Sequence, residues 1–331
     1  MLAIGYTSGP LFTFECATPE PGPHDLLVNI KAIAVNPVDT KIRGRVAATE
    51  DSPKILGWDA VGVVAAVGSE VSLFKPGDRV WYAGDVTRPG CNAEYQCVDE
   101  RICALAPQTL SDAEAAAMPL TSITAWEMLF DRLEVPQGEN SLQRTVLVIG
   151  AGGGVGSMLV QLARQLTSAT VIGTASRPES REWVASLGAH HVLDHSRSLL
   201  EELKATSLPD ITDAAALNRT DQHYADIVGM LRPQGRLALI DDPAQPLDIK
   251  LLKQKSLSLH WEFMFTRAMF QTEDMLGQHE LLTQVARLID EGVIRTTMGQ
   301  HLGAITPENL ERAHELMKSE HTLGKVVLEG F

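Results

Sequence analysis

Apolar positions along the chain change period at one place. Residues 146–149 are an uninterrupted apolar run rich in β-branched side chains, the pattern of a strand buried on both faces of a parallel sheet. Past residue 154 the apolar positions become 155, 158, 159, 162, 163 and 166, which is helical spacing. Between the two periods lie Gly150, Gly153, Gly154 and Gly156. A strand, a glycine turn and a helix in that order make a phosphate-binding corner. The turn is tight, the backbone can approach a pyrophosphate, and the helix N-terminus offers unpaired N–H groups. The spacing reads as A-x-G-x-x-G from Ala151 or as G-x-x-G-x-x-G from Gly150. Taken alone, such glycines also suit a flexible loop between a core strand and a core helix. Here the strand and helix flank them and an alternating pattern follows, so Gly150, Gly153, Gly154, Val155 and Gly156 are read as a dinucleotide loop.

Downstream, strands are expected at 170–174, 191–193, 211–216, 236–240 and 257–265. Helices are expected at 179–187, 199–205 and 225–231 between them. Strands alternating with helices imply parallel pairing. Upstream, from residue 1 to about 106, the signals are short strands and turns rather than helices. Runs at 26–35, 61–67 and 80–81 are punctuated by Gly68-Ser69 and Pro76-Gly77-Asp78, which suggests a compact β-barrel-like domain. Residues 111–129 turn helical and lead into the glycine corner. Segments 281–292 and 308–318 are helical, and 325–328 is a terminal strand returning to the first domain.

Composition narrows the function. The 331 residues exceed one ordinary domain, and 44% hydrophobic with 21% charged residues is the balance of a globular protein. A net charge of −14 argues against nucleic acid or an anionic membrane as partner, so any basic residues serving an anionic cofactor must be local. No run approaches membrane length and no signal-peptide pattern opens the chain, which reads as cytoplasmic. Cys16, Cys91, Cys97 and Cys103 show no C-x-x-C spacing and read as scattered reduced thiols.

Several motifs stand in one order: Asn36-Pro37-Val38-Asp39, Gly57-Trp58-Asp59-Ala60-Val61-Gly62, Phe74-Lys75-Pro76-Gly77-Asp78-Arg79-Val80, Thr124-Ala125-Trp126, the glycine loop, and Gly324-Lys325-Val326-Val327-Leu328. With these, nearly the whole chain resembles the medium-chain dehydrogenase/reductase superfamily. Within that superfamily it is similar to the quinone oxidoreductase branch and to bacterial proteins of the zinc-type alcohol dehydrogenase-like kind. The resemblance implies an α/β protein with a GroES-like β-barrel catalytic domain, 1–120 and 271–331, and a Rossmann domain with a doubly wound parallel sheet, 121–270. It places substrate and nicotinamide in the cleft between them. Zinc-dependent relatives hold the catalytic ion with a Cys, a His in a G-H-E motif and a second Cys. The matching positions here are Asn36, Trp58 and Leu120, none a plausible zinc ligand, and the four-cysteine structural lobe is missing, so no metal is expected. Without a Lewis acid, the substrate oxygen needs charge that is already delocalised, as in the enolate formed when hydride adds to an enone or quinone.

Cofactor choice is read where the 170–174 strand ends. NAD sites place a carboxylate there; this chain has Ser176-Arg177, which suits the 2′-phosphate of NADPH. Quinone oxidoreductases use a Lys and a later Tyr for that phosphate, matched here by Arg177 and His195, with Arg181 one turn along the next helix. The bland alternative is a solvated basic helix start. Asn36 and Thr124 match family positions facing the nicotinamide. Lys41 replaces a Tyr of the family's pattern, and it is either a proton donor or the partner of Asp39 or Asp59 in a structural ion pair. Trp58, Met264 and Phe265 are candidates for the substrate pocket, although Trp58 suits a core equally. His190-His191 reads as structural. The strand at 257–265 ends a sheet, so a homodimer is expected across it. The implied function is an NADPH-dependent, zinc-independent reductase of a quinone or α,β-unsaturated carbonyl, acting on a small molecule. A zinc-type alcohol dehydrogenase acting on an alcohol or aldehyde, and a non-catalytic NADPH-binding protein, are the alternatives.

Overall fold

A computed structural model describes residues 1–319 and 321–331. The chain divides into two compact units, residues 124–263 and residues 1–123 with 264–331. The boundaries read from the sequence stood at 120/121 and 270/271.

Residues 124–263 carry a six-stranded parallel sheet. Its strands are β1 (Thr145–Ile149), β2 (Thr170–Thr174), β3 (His191–Leu193), β4 (Ile211–Ala216), β5 (Leu231–Leu239) and β6 (Ser258–Trp261). They lie in the order β3-β2-β1-β4-β5-β6, the doubly wound dinucleotide-binding order, whose reversal at β1/β4 opens a crevice at the strands' carboxyl ends. Helices α1 (Gly154–Leu166), α2 (Pro178–Ser186), α3 (Leu199–Lys204), α4 (Thr220–Met230) and α5 (Lys250–Lys253) connect them. All five residues of β1 are buried, as a central strand covered on both faces requires. Leu147, Ile149, Ile211, Ile227, Leu237 and Leu239 belong to one core against α4.

The other unit is mostly antiparallel. Asp25–Val35 is its longest strand and pairs with Lys325–Glu329, Ala60–Val67 and Tyr95–Asp99. Two register shifts against Ala60–Val67, at Leu27/Val28 and Ile30/Ala32, let it bend from one partner to the next. Arg79–Tyr82, Cys103–Leu105 and Met298–His301 complete the sheet, and a small three-stranded sheet joins Phe12–Glu15, Leu2–Tyr6 and Lys54–Ile55. Leu26, Val28, Val61, Val80 and Trp81 are fully or almost fully buried in its core. The terminal strand does return to this unit, with Val326 opposite Val35.

Some expected elements are corrected. Pro37–Arg45 is a helix within the stretch read as strands and turns alone. Its face is polar, so periodicity conceals it; the signal was Pro37 at the first turn and Asp39, whose Oδ2 accepts from the Asn36 backbone N–H at 2.6 Å. The stretch 111–129 is broken at Pro119 into Asp112–Ala116 and Pro119–Trp126, then loosens into a π-turn over Glu127–Arg132. The last parallel strand spans only Ser258–Trp261, four residues against nine expected. Among the described residues no helix is long and apolar enough to cross a membrane.

Candidate cofactor and active site

The glycine corner takes the three-glycine reading, and each glycine has a separate duty. Gly150 has φ +77°, which turns the chain sharply off β1, and a Cβ there would meet the Asn218 side chain at 2.5 Å. Gly156 lies against the loop so closely that a Cβ would approach Ala151 Cα to 2.6 Å. Gly153 is the N-cap of α1 and supplies no side-chain oxygen to the first turn. The amide donors of that turn are thus left for a ligand, at the positive end of a 13-residue helix. Residues 152–155 keep part of their surface open, while Ala151 and Gly156 are buried.

The end of β2 carries the residues read as choosing the cofactor. Ser176 is half-buried and Arg177 exposed at the start of α2, where the Ser180 hydroxyl accepts from Arg177 N–H at 3.2 Å and donates to its carbonyl at 2.8 Å. No carboxylate occupies either position. Thr174 Oγ1 accepts from the Gly150 N–H at 3.1 Å and lies 3.1 Å from His195 Nδ1, so the glycine turn, β2 and the end of β3 are tied together. Arg181 is corrected. Its two terminal nitrogens donate to the carbonyls of Ala175 (3.2 Å) and Val192 (2.9 Å), so it fastens β2 to β3 rather than reaching outward. His190 is structural as expected, accepting from Val171 N–H at 2.9 Å.

In the other unit, the candidates surround a buried charge network. Lys325 Nζ donates to the carbonyl of Val35 (3.0 Å), to Asp59 Oδ2 (3.0 Å) and to Asn36 Oδ1. Asn36 Nδ2 donates to Ala34 O at 3.3 Å and to Asp59 Oδ2 at 3.1 Å, and Leu120 N–H donates to Asp59 Oδ1 at 3.1 Å. Lys325, Asn36, Asp39 and Asp59 are at most 4% exposed. Burial pushes both carboxyls up, Asp39 to about 7, and the Lys325 ammonium restrains each. Asn36 is therefore corrected as a substrate donor, because both amide protons and the carbonyl oxygen are committed inside this network. The ammonium on Asp59 is that of Lys325, a residue the sequence reading passed over. Its signal was a lysine opening an apolar terminal strand, where a buried charge needs a partner.

The remaining candidates divide. Lys41 is half-buried on the Pro37–Arg45 helix, and Thr124 is buried where the second unit begins. Trp58 is fully buried with its indole N–H on Asp85 O at 3.0 Å, and Met264 and Phe265 are 4% and 3% exposed. All three side chains are buried, as Thr124 is. A second unforeseen group lies beside β6. Glu127 and Glu262 are both buried and both face Arg132, whose Nε lies 2.9 Å from Glu262 Oε2 and whose terminal nitrogen lies 4.0 Å from Glu127 Oε2. Burial, then the Glu127 charge, pushes Glu262 up to about 9, so the pair holds a proton at neutral pH.

Known proteins match this arrangement. The family model for the alcohol dehydrogenase GroES-like domain matches residues 22–108, and that for zinc-binding dehydrogenases matches residues 187–328. A zinc-type alcohol dehydrogenase-like protein of Staphylococcus aureus is 39% identical over 322 residues, covering 97% of this chain and 95% of that protein. The chain belongs to the medium-chain dehydrogenase/reductase superfamily. A crystal structure from Rhizobium etli, described as a candidate zinc-dependent alcohol dehydrogenase, superposes with a TM-score of 0.96 at 51% identity, covering 100% of this chain and 98% of that one. The Escherichia coli quinone oxidoreductase complexed with NADPH gives 0.81 at 25% identity, with 99% of each chain covered. The protein is thus an oxidoreductase of this superfamily, with a nicotinamide cofactor. The corner at Gly150–Gly156 fits such a cofactor, since its helix start leaves amides for a pyrophosphate.

The superfamily's zinc does not fit. Its ligand positions carry an amide locked in the Lys325 network, an indole bound to a carbonyl, and Leu120. Among the described residues no three His, Cys, Asp or Glu side chains are grouped to hold a metal.

Proposed function

We propose that this superfamily member is an NADPH-dependent, zinc-independent reductase of quinones or α,β-unsaturated carbonyls. The observation that carries the cofactor choice is Ser176-Arg177 at the end of β2, a hydroxyl and a guanidinium where a carboxylate would repel a 2′-phosphate. When bound, the nicotinamide supplies hydride. The chain's own residues bind and orient: the first-turn amides of α1 hold the pyrophosphate, and Arg177 with Ser176 meets the 2′-phosphate. Lys41 is the donor proposed for the substrate oxygen once Asn36 is withdrawn. A hydrogen-bond donor meets the need of an oxygen whose negative charge spreads through an enolate or a quinol ring better than that of a plain alkoxide. The NADPH-bound quinone oxidoreductase among the structural neighbours supports this choice of substrate and cofactor.

We also infer a homodimer. β6 ends the parallel sheet, and on or beside it Trp261 and Phe263 are 56% and 48% exposed. An apolar edge strand of this kind is safest when a second copy covers it. All four cysteines stand as free thiols, which accords with a reducing compartment such as the cytoplasm. The deciding experiment is a panel of quinones, enones, aldehydes and secondary alcohols with NADPH or NADP⁺, followed by cofactor absorbance, with metal analysis of the same preparation. Turnover of alcohols alone, or stoichiometric zinc surviving dialysis, would overturn the reading.

A further inference from the structure

Two residues outside the set read from sequence converge on His195. Arg219 ends the loop after β4 in a left-handed backbone conformation, φ +49°, and begins α4. His223 follows one turn later on that helix, and its ring centroid lies 6.1 Å from that of His195. Both Arg177 and Arg219 bear electrostatically on His195, and Arg219 also on His223. Both imidazoles are half-buried, and both arginines are exposed. Thr174 Oγ1 takes the Gly150 N–H and also lies 3.1 Å from His195 Nδ1, so the imidazole is held beside the glycine turn.

We propose that Arg219 and His223 form the second wall of the 2′-phosphate seat, opposite Arg177 and His195, and that seating the phosphate draws protons onto the two imidazoles. The inference rests on the NADPH reading and extends it to residues on α4 and to the pH dependence of cofactor choice. Three basic side chains, Arg177, Arg219 and His223, bear on His195, which makes a local basic cluster in a chain whose net charge is −14. Burial is the largest cause holding both histidines below their usual value; Arg219 adds to it for both, and His223 and Arg177 add to it for His195. Asp194, Asp221 and Asp226 act the other way. Two of these carboxylates are also engaged locally: Asp194 accepts from Ser196 N–H and Oγ–H, and Asp226 from Ser198 Oγ–H. Arg181 is fastened to main-chain carbonyls and Arg197 pairs with Glu202 at 3.6 Å. A bound phosphate dianion reverses the balance for the imidazoles. NADPH affinity should then climb as pH falls from about 8 toward 6, until the phosphate itself takes a proton near 6.

The test is titration calorimetry of the intact protein with NADPH and with NADH at pH 7.5, in two non-phosphate buffers of different ionisation enthalpy. NADPH should bind with net proton uptake and NADH without it. His223→Gln should reduce the uptake, and Arg219→Asn, which suits the left-handed backbone, should weaken NADPH about tenfold while changing NADH less than about twofold. The melting temperature of each variant confirms that it is folded. If NADPH binds tightly but uptake and the NADPH/NADH ratio are the same in both variants as in the parent, the seat is wrong and the cofactor reading stands. If the parent prefers NADH, the cofactor reading falls and this inference with it.

Discussion

Replacing Lys325 by Met tests the buried network directly. The substitution keeps most of the side-chain volume and deletes an ammonium that three acceptors share. Asp59 would then sit fully buried with only the Asn36 amide and the Leu120 N–H. Breaking a buried pair on one side costs about 3–5 kcal/mol, because the remaining charge has neither water nor partner. For a unit of this size that is a fall of about 6–20 °C in its melting transition. The pH sign follows from Asp59. Its carboxyl already lies above the usual range through burial, and losing Lys325 lifts it further. A carboxyl raised in the folded state binds more protons folded than unfolded, so folding is favoured at acid pH and loses ground as pH rises through the raised value. The deficit of Lys325→Met should therefore be largest at pH 8 and shrink toward pH 5. Adding Asp59→Asn should recover at least half of the loss at pH 8, since no uncompensated charge is left. Differential scanning calorimetry of the parent and the two variants at both pH values measures this. A shift below about 2 °C at pH 8, or no recovery in the double variant, would refute the account of the network.

Other expectations follow from the same physics. Arg177→Asp should weaken NADPH tenfold or more, the worth of one charged hydrogen bond turned to repulsion, and leave NADH nearly unchanged in fluorescence titrations; equal losses would remove Arg177 from the phosphate site. Lys41→Met should lower kcat by about 10²-fold or more on the best quinone or enone while NADPH affinity holds, as loss of one preorganised donor does; full activity would make Lys41 structural. Glu262 is raised to about 9 by burial and by Glu127, so the parent protein should lose stability as pH rises from about 5 to 9. Glu262→Gln, which can still bridge Glu127 and Arg132 without a proton to lose, should flatten that part of the curve of melting temperature against pH.

The sequence disclosed elements whose burial is uniform or whose punctuation is strict. β2 and β4 begin and end where expected, with every residue but Thr170 buried, and β3 does so too although its burial runs from exposed His191 to buried Leu193. The glycine corner was legible for the same kind of reason: Gly150, Gly153 and Gly156 each answer a backbone demand no other residue meets so cheaply. Elements set by tertiary context were harder to see. The helix Pro37–Arg45 has no apolar stripe. β5 starts five residues before the apolar run, at Leu231, through an irregular pairing with β4. The π-turn at Glu127–Arg132 leaves no trace in periodicity.

The site was legible to the extent that its residues act through the backbone or at the surface. Ser176 and Arg177 could be placed because they follow a strand whose end was already fixed. Asn36 could be matched to a position but its chemistry could not, because an amide's availability depends on what fills the space around it. Lys325 comes from a strand 289 positions away along the chain to occupy its oxygen. The same logic separates the three half-read basic residues of the Rossmann unit. Arg181, Arg177 and His195 look alike as a list of cations near one strand end. Only the hydrogen bonds distinguish a guanidinium whose terminal nitrogens reach the carbonyls of Ala175 and Val192 from an imidazole with one nitrogen on Thr174. A buried or half-buried polar group has a fixed number of donors and acceptors, so counting those already used separates a residue that can meet a ligand from one that holds the fold. By that count both amide protons of Asn36 are spent inside the fold, and the proposed choice of cofactor rests on Ser176, Arg177 and His195.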